Sequence, residues 1–250
     1  DSDETAVVDF ETAGQLTLNA STGIGIQGGD RQTLSVLLGT LAASTTTGGI
    51  YVGSTDSFAT NGLISSTSGT ISLLSDGVIT VGPNLAGVAV DSAEDLVIRA
   101  GAELIQLADS TIEAAADISL YASTAMTLFS VTTTGNVALE TAGAVLGYVD
   151  PAVAAITAQG LLLDGVGSMG TPAQRLSLDV AVLAGTVELG TLAFDNAQSL
   201  SLDSVTVSTR AIAPMGALPT VLHEQSRDTI ILNTVDSGGL VGEGLFATID

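Results

Sequence analysis

The chain has 250 residues, of which 46% are hydrophobic, 13% charged and only 3% aromatic, with no Cys and no Trp. Five Arg and no Lys against 27 Asp plus Glu give a formal net charge of −22, which excludes a protein that neutralises nucleic-acid phosphates and argues against docking on anionic lipid. Without cysteine there is no disulfide framework, no thiolate zinc site and no cysteine nucleophile, so stability must come from packing.

No apolar run reaches the roughly 18 residues that a membrane helix needs, so no membrane insertion is expected. The opening stretch DSDETAVVDFE lacks a basic region followed by a hydrophobic one, and the chain reads as a mature or excised piece. Gly, Ala, Ser, Thr, Leu and Val dominate the composition, which suits a globular or solenoid chain rather than a disordered one.

Along the chain an apolar-x-apolar triplet returns at residues 16–18, 34–36, 50–52, 71–73, 96–98, 118–120, 137–139, 161–163, 176–178, 187–189, 200–202 and 230–232. A period of two within each triplet marks a strand with one buried face. The first and last of the twelve starts lie 214 residues apart, a mean spacing of about 19.5, which is a solenoid period. In six triplets the middle residue is Ser or Thr, namely Thr17, Ser35, Ser72, Ser119, Ser177 and Ser201, small hydroxyls suited to the outer wall.

Three middle residues, Val97, Leu162 and Ile231, are apolar against this rule, so part of the outer wall is expected to be covered. Between triplets, Thr47-Gly48-Gly49, Asn61-Gly62, Asp76-Gly77, Gly82-Pro83-Asn84 and Gly238-Gly239 supply corners. Helical periodicity is confined to two short stretches, 92–98 and 218–225. A longer echo links residues 16–25 and Arg31 with residues 161–170 and Arg175, which suggests a duplicated unit of about 140 residues.

The stretches 16–29 (LTLNASTGIGIQGG), 41–58 (LAASTTTGGIYVGSTDSF) and 69–82 (GTISLLSDGVITVG) resemble the repetitive regions of very large bacterial surface proteins of the filamentous haemagglutinin and two-partner-secretion adhesin type. The resemblance covers residues 14–83, with a weaker match over 135–205. It implies a right-handed parallel β-helix, an extracellular or cell-surface location, and a role as stalk or adhesive surface, with other cells or surface glycans among the partners.

The expected fold is therefore an all-β, right-handed parallel β-helix of about 11–12 coils of roughly 20 residues, stacked at about 4.8 Å. Residues 1–250 form a single solenoid domain, a segment or subunit of a larger assembly. Residues 208–227 break the rhythm with Pro214, Met215, Pro219 and the one histidine, His223, and read as a protruding loop or short helix.

A search for chemistry finds little. The pairs Asp179 with Asp203 and Asp91 with Asp95 are candidates for the two carboxylates of glycoside hydrolysis, which is the rival reading: a polysaccharide-active β-helix lyase or hydrolase. Residues 233–236 (NTVD) match only a fragment of a polygalacturonase pattern, and His223-Glu224 lacks a nucleophile elbow. The tripeptide Leu178-Asp179-Val180 and the sequon Asn19-Ala20-Ser21 are short enough to occur by chance. No catalytic residue and no cofactor are assigned; calcium is the one candidate ion, with oxygen ligands at Asp1, Asp3 and Glu4 or at Asp91, Glu94 and Asp95.

Both termini are β-prone and free of Pro and Lys, at residues 5–10 (TAVVDF) and 244–249 (GLFATI). An assembly interface is expected there, formed by Val7, Val8, Phe10, Leu245, Phe246 and Ile249, the alternative being that a terminal strand folds over its own end as a cap. The partner is another copy, or neighbouring coils of a longer chain, joined head to tail.

Overall fold

The computed structural model describes residues 8–27, 30–31, 33–82, 87–148, 153–188, 190–210, 222–227, 230–232 and 245–249. Every regular element among them is a strand, and 22 strands belong to one sheet whose neighbours run parallel. No helix is long and apolar enough to cross a membrane among the described residues.

The chain is a β-solenoid of about eight coils of about 22 residues, fewer and longer than the triplet count suggests. Some triplets share a coil. Residues 176–178 and 187 lie in the single strand Leu176–Val187, and both Ser201–Leu202 and Ile230–Leu232 pair with that same strand.

Each full coil visits three faces. On face 1 the inward positions form the column Ile24, Ile50, Ile71, Leu96, Ile118, Val137, Leu161, Leu183 and Leu202. A second column, Val52, Leu73, Ile98, Leu120, Leu139 and Leu163, runs beside it. Face 2 stacks Ala43, Ile64, Val90, Ile112, Val131, Ile156 and Leu178, and face 3 stacks Phe58, Ile79, Leu104, Met126, Val145, Met169 and Leu192.

The four columns meet in one core, except for Leu202 at the exposed end. Burying each Val, Leu or Ile is worth about 1.5–3 kcal/mol, which is how a chain without disulfides or large aromatic clusters holds together. The 140-residue echo is not a structural repeat, because Leu18 stands beside Ala43 of face 2 whereas its counterpart Leu163 stands on face 1.

Corners carry short polar residues that satisfy the backbone where the strands bend. Thr45, Ser66, Ser92 and Thr133 follow the face 2 strands at equivalent heights. Thr45 and Ser66 Oγ both donate to the Gly48 carbonyl at 2.9 Å, Ser92 Oγ to the Asp95 carbonyl at 2.8 Å, and Thr133 Oγ1 to the Ala116 carbonyl. At the corner between faces 1 and 3, Gly101 is required by close stacking: a Cβ there would lie 2.3 Å from the Asp76 carbonyl oxygen of the coil below.

Two buried amides complete the interior. Asn196 follows Leu178 in the face 2 column, taking the Val180 N–H on Oδ1 at 3.0 Å and donating from Nδ2 to the Val180 carbonyl at 2.9 Å. Gln106 has no exposed surface. Its Nε2 donates to the carbonyls of Ser110 at 2.8 Å and Ser130 at 2.6 Å, while Oε1 accepts the N–H groups of Phe129 at 2.9 Å and Ser130 at 3.2 Å. One side chain thus serves four backbone groups at the corner between faces 3 and 2, in its own coil and the next.

Gln106→Leu keeps the volume and strands those groups in an apolar interior. Each unsatisfied group costs about 1–3 kcal/mol, so a loss of about 3 kcal/mol or more is expected in urea denaturation. A loss below about 1 kcal/mol would contradict the assigned role.

Candidate functional site

The outer wall of face 1 is where the sequence departs most from a plain solenoid. Its middle positions read Tyr51, Ser72, Val97, Ser119, Ala138, Leu162 and Ala184 from coil to coil. Leu162 is 0% exposed although it points away from the core. The cover is a hairpin: Val205–Arg210 pairs antiparallel with Leu222–Arg227, from Val205 opposite Arg227 to Arg210 opposite Leu222. Within residues 208–227 the described parts are therefore strand.

The hairpin lies across the coils. Its first strand touches Leu176–Val187, Ile156–Val166, Asn136–Thr141, Ile118–Ala122 and Leu96–Ala100 in turn. Val205, Val207 and Thr209 are buried while Thr206 is exposed, the period-two pattern of a strand with one face down. Val205 and Val207 form a separate apolar cluster with Ala138, Leu162 and Ala184. At about 1.5–3 kcal/mol per buried valine, this cover contributes real stability. Gly160 provides the seat, since a Cβ there would come within 3.1 Å of both Val205 methyl groups.

Beside this seat runs a column of short polar side chains, Thr70, Asp95, Asp117 and Asn136, each immediately before the first inward residue of face 1, namely Ile71, Leu96, Ile118 and Val137. Asp95 Oδ1 accepts the Asp117 N–H at 3.3 Å, and Asp117 Oδ1 accepts the Asn136 N–H at 2.8 Å. The column also holds the hairpin, because Asp117 Oδ2 accepts the Ser208 N–H at 2.8 Å and Asn136 Nδ2 donates to the Thr206 carbonyl at 2.8 Å. A hydrogen bond to an ionised acceptor is worth about 1.5–3 kcal/mol.

Partial burial, then the charges of Asp117 and Glu94, push the Asp95 carboxyl above its ordinary range, against the pull of the Asp117 N–H. Two groups of this wall are buried and unpaired, Ser72 Oγ and Thr209 Oγ1.

The residues singled out in the sequence are distributed as follows. Asp91 faces outward on face 2 opposite Glu113, while Asp95 turns to the face 1 corner beside Asp117, so the structure builds different acidic neighbours from the pair read in sequence. Asp179 accepts the Gln198 amide at 2.8 Å, and exposed Asp203 accepts the Ser204 N–H at 2.7 Å. Leu178 and Val180 are buried, so the Leu-Asp-Val tripeptide offers only Asp179 to the outside. Asn19 accepts the Ser44 hydroxyl at 2.6 Å on an exposed edge.

His223 and Glu224 lie in the hairpin, at the heights of Thr209 and Ser208. Arg175 pairs with Asp195 at 2.9 Å. Val97 is half-buried, and Ile231 stands opposite Thr186 in the backbone register. No group of three or more His, Asp or Glu side chains converges on a metal position among the described residues. Asp1, Asp3, Glu4, Val7 and residues 233–236 lie outside them.

The two ends differ. Phe10–Ala20 pairs with Leu34–Thr45 on one side, and no other described strand pairs with it. Val8 is half-buried and Phe10 is 45% exposed. Leu245–Ile249 adds a further parallel strand above Leu192–Asn196, placing Leu245, Phe246 and Ile249 level with Leu192, Ala193 and Asn196. Leu202 on this last level is 60% exposed.

Comparison with protein-family models, curated proteins and solved structures finds no match to this chain, so geometry carries the functional assignment.

The Asp95 environment has a testable sign. Its raised pKa means that the folded chain binds this proton more tightly than the unfolded chain, so stability from this group falls as pH rises from the unfolded value through the folded one. Asp95→Asn is therefore expected to raise the melting temperature at pH 7. The gain should shrink toward zero below about pH 4, where the unfolded carboxyl is protonated too. A variant that melts lower than the parent at pH 7 would contradict this.

Proposed function

We propose that this chain is a structural rod, an extracellular β-solenoid segment of a bacterial surface fibre or adhesin stalk that extends head to tail through the edges of its first and last coils. The observation that carries the reading is the parallel ladder that finishes in an 11-residue edge strand, Phe10–Ala20, paired on one side among the described residues. An unpaired parallel edge is a template for another strand. At the opposite end the stack also finishes in parallel strands, which supports pairing between the last coil of one rod and the first coil of the next.

Such a contact is heterologous and non-closing, and generates a fibre rather than a ring or a dimer. Exposed Phe10 and Leu202 at the two ends supply apolar surface for the junction. The composition supports the same reading: the chain is Lys-free and strongly acidic. That composition resists lateral clumping by like-charge repulsion and leaves the ends as the route of association. The surface-protein resemblance of residues 14–83 supports the extracellular placement and the stalk role.

Sedimentation and electron microscopy test the assembly. The parent chain is expected to form rods that lengthen with concentration in steps of about 38 Å, the height of about eight coils at about 4.8 Å. Phe10→Lys with Thr17→Lys blunts the edge and should leave folded single rods. Single rods of the parent at every concentration, or equal assembly by the lysine variant, would overturn the proposal.

A further inference from the structure

A solenoid without cross-connections is quasi-one-dimensional: each coil touches only its neighbours, so it can fray from either end one coil at a time. The hairpin breaks that rule. Its strand Val205–Arg210 leaves the sheet just after the last-level strand Ser201–Leu202 and folds back over five successive levels, ending against Leu96–Ala100. The contacts it closes span long stretches of chain, 91 residues from Ser208 to Asp117 and 70 from Thr206 to Asn136.

We infer that the hairpin is a clasp that binds these five coils into one unfolding unit, so that the C-terminal half of the rod opens all at once rather than by fraying. The base of the clasp sits on the last level, which is where fraying would begin. Loosening the strand Ser201–Leu202 drags on Val205, whose methyl groups sit over Gly160, and on Val207, packed with Ala138, Leu162 and Ala184. The wall under the hairpin is shaped for it. Glycine and alanines occupy the seat, and the hydrogen-bonding side chains Asp117 and Asn136 stand on the adjoining column.

Thr209 Oγ1, buried under the hairpin without a hydrogen-bond partner, shows that the cover is less completely satisfied than the core. The clasp acts within one chain and does not depend on rods joining end to end. A rod that carries load benefits from it, because a single cooperative barrier replaces a series of small ones.

Hydrogen exchange on the full chain reads the coupling directly. In the parent, the amides of the face 1 strands from Leu96–Ala100 to Leu176–Val187 should share one opening rate. Val205→Asp with Val207→Asp places charges under the hairpin; exchange should then become graded and accelerate at least about tenfold in Leu176–Val187, while Ile50–Ser54 stays unchanged. The same pattern of exchange in both chains would overturn the clasp.

Should that variant fail to fold, a second comparison decides. Gly160→Cys with Val205→Cys adds two thiols to a chain that has none. Oxidising them should slow exchange in all five coils together relative to the reduced form. Slowing confined to the coil that holds residue 160 would overturn the inference equally.

Discussion

Parallel strand stacking in register is the constraint from which everything else follows. Once Ile71 stands on Ile50 and Leu96 on Ile71, each with its backbone hydrogen-bonded above and below, every later coil must present an apolar residue at that height or leave a hole. The spacing between coils, about 4.8 Å, is set by the backbone and not by the side chains. Side chains must therefore fit a fixed repeat, and this chain fills it with Leu, Ile and Val on three faces and small residues at the bends.

The same rigidity explains the polar interior. A corner cannot widen to let water reach its carbonyls, so hydroxyls such as Thr45, Ser66 and Ser92 are placed where they can satisfy them. Gln106 does this for two coils at once. Stacking also concentrates like charges: acids that occupy equivalent places in successive coils are forced together, as Asp95 and Asp117 are. Here the outcome is mixed, since Asp117 anchors the hairpin while the burial of Asp95, and then the Asp117 charge, disfavour the ionised form of Asp95.

The all-strand solenoid was legible in the sequence because the triplets recur and alternate, and the six from 50–52 to 161–163 all lie on face 1. The coil count was less legible. Strands on any face can carry the same apolar-x-apolar pattern, so triplets that share one long strand such as Leu176–Val187 do not each mark a turn, as their uneven spacing of 11 to 30 residues allows. Leu162 signalled a cover by breaking the outer hydroxyl rule, but nothing local told what would cover it. Val205 and Val207 make too short a pattern, with the prolines at 214 and 219 further obscuring the hairpin.

Asp95, Asp117 and Asn136 could have been found by aligning the chain at its coil period, since each immediately precedes the first inward residue of face 1, Leu96, Ile118 or Val137. Acidic pairs chosen by closeness in sequence, such as Asp91 with Asp95, could not succeed, because neighbours in this fold are about one coil apart. A candidate site in a solenoid is read along the stack, across the sequence period, and not along the chain.

The most direct test measures that stack. Ser65, Asp91, Glu113, Thr132, Thr157 and Asp179 follow one another at the middle of face 2. The chain has no cysteine, so spin labels can be placed on Ser65→Cys paired in turn with Thr132→Cys, Thr157→Cys and Asp179→Cys. Electron–electron distance measurements should return about 14, 19 and 24 Å, one coil step of about 4.8 Å at a time. Distances that fail to rise by a constant step, or that scatter broadly, would contradict a single in-register parallel solenoid.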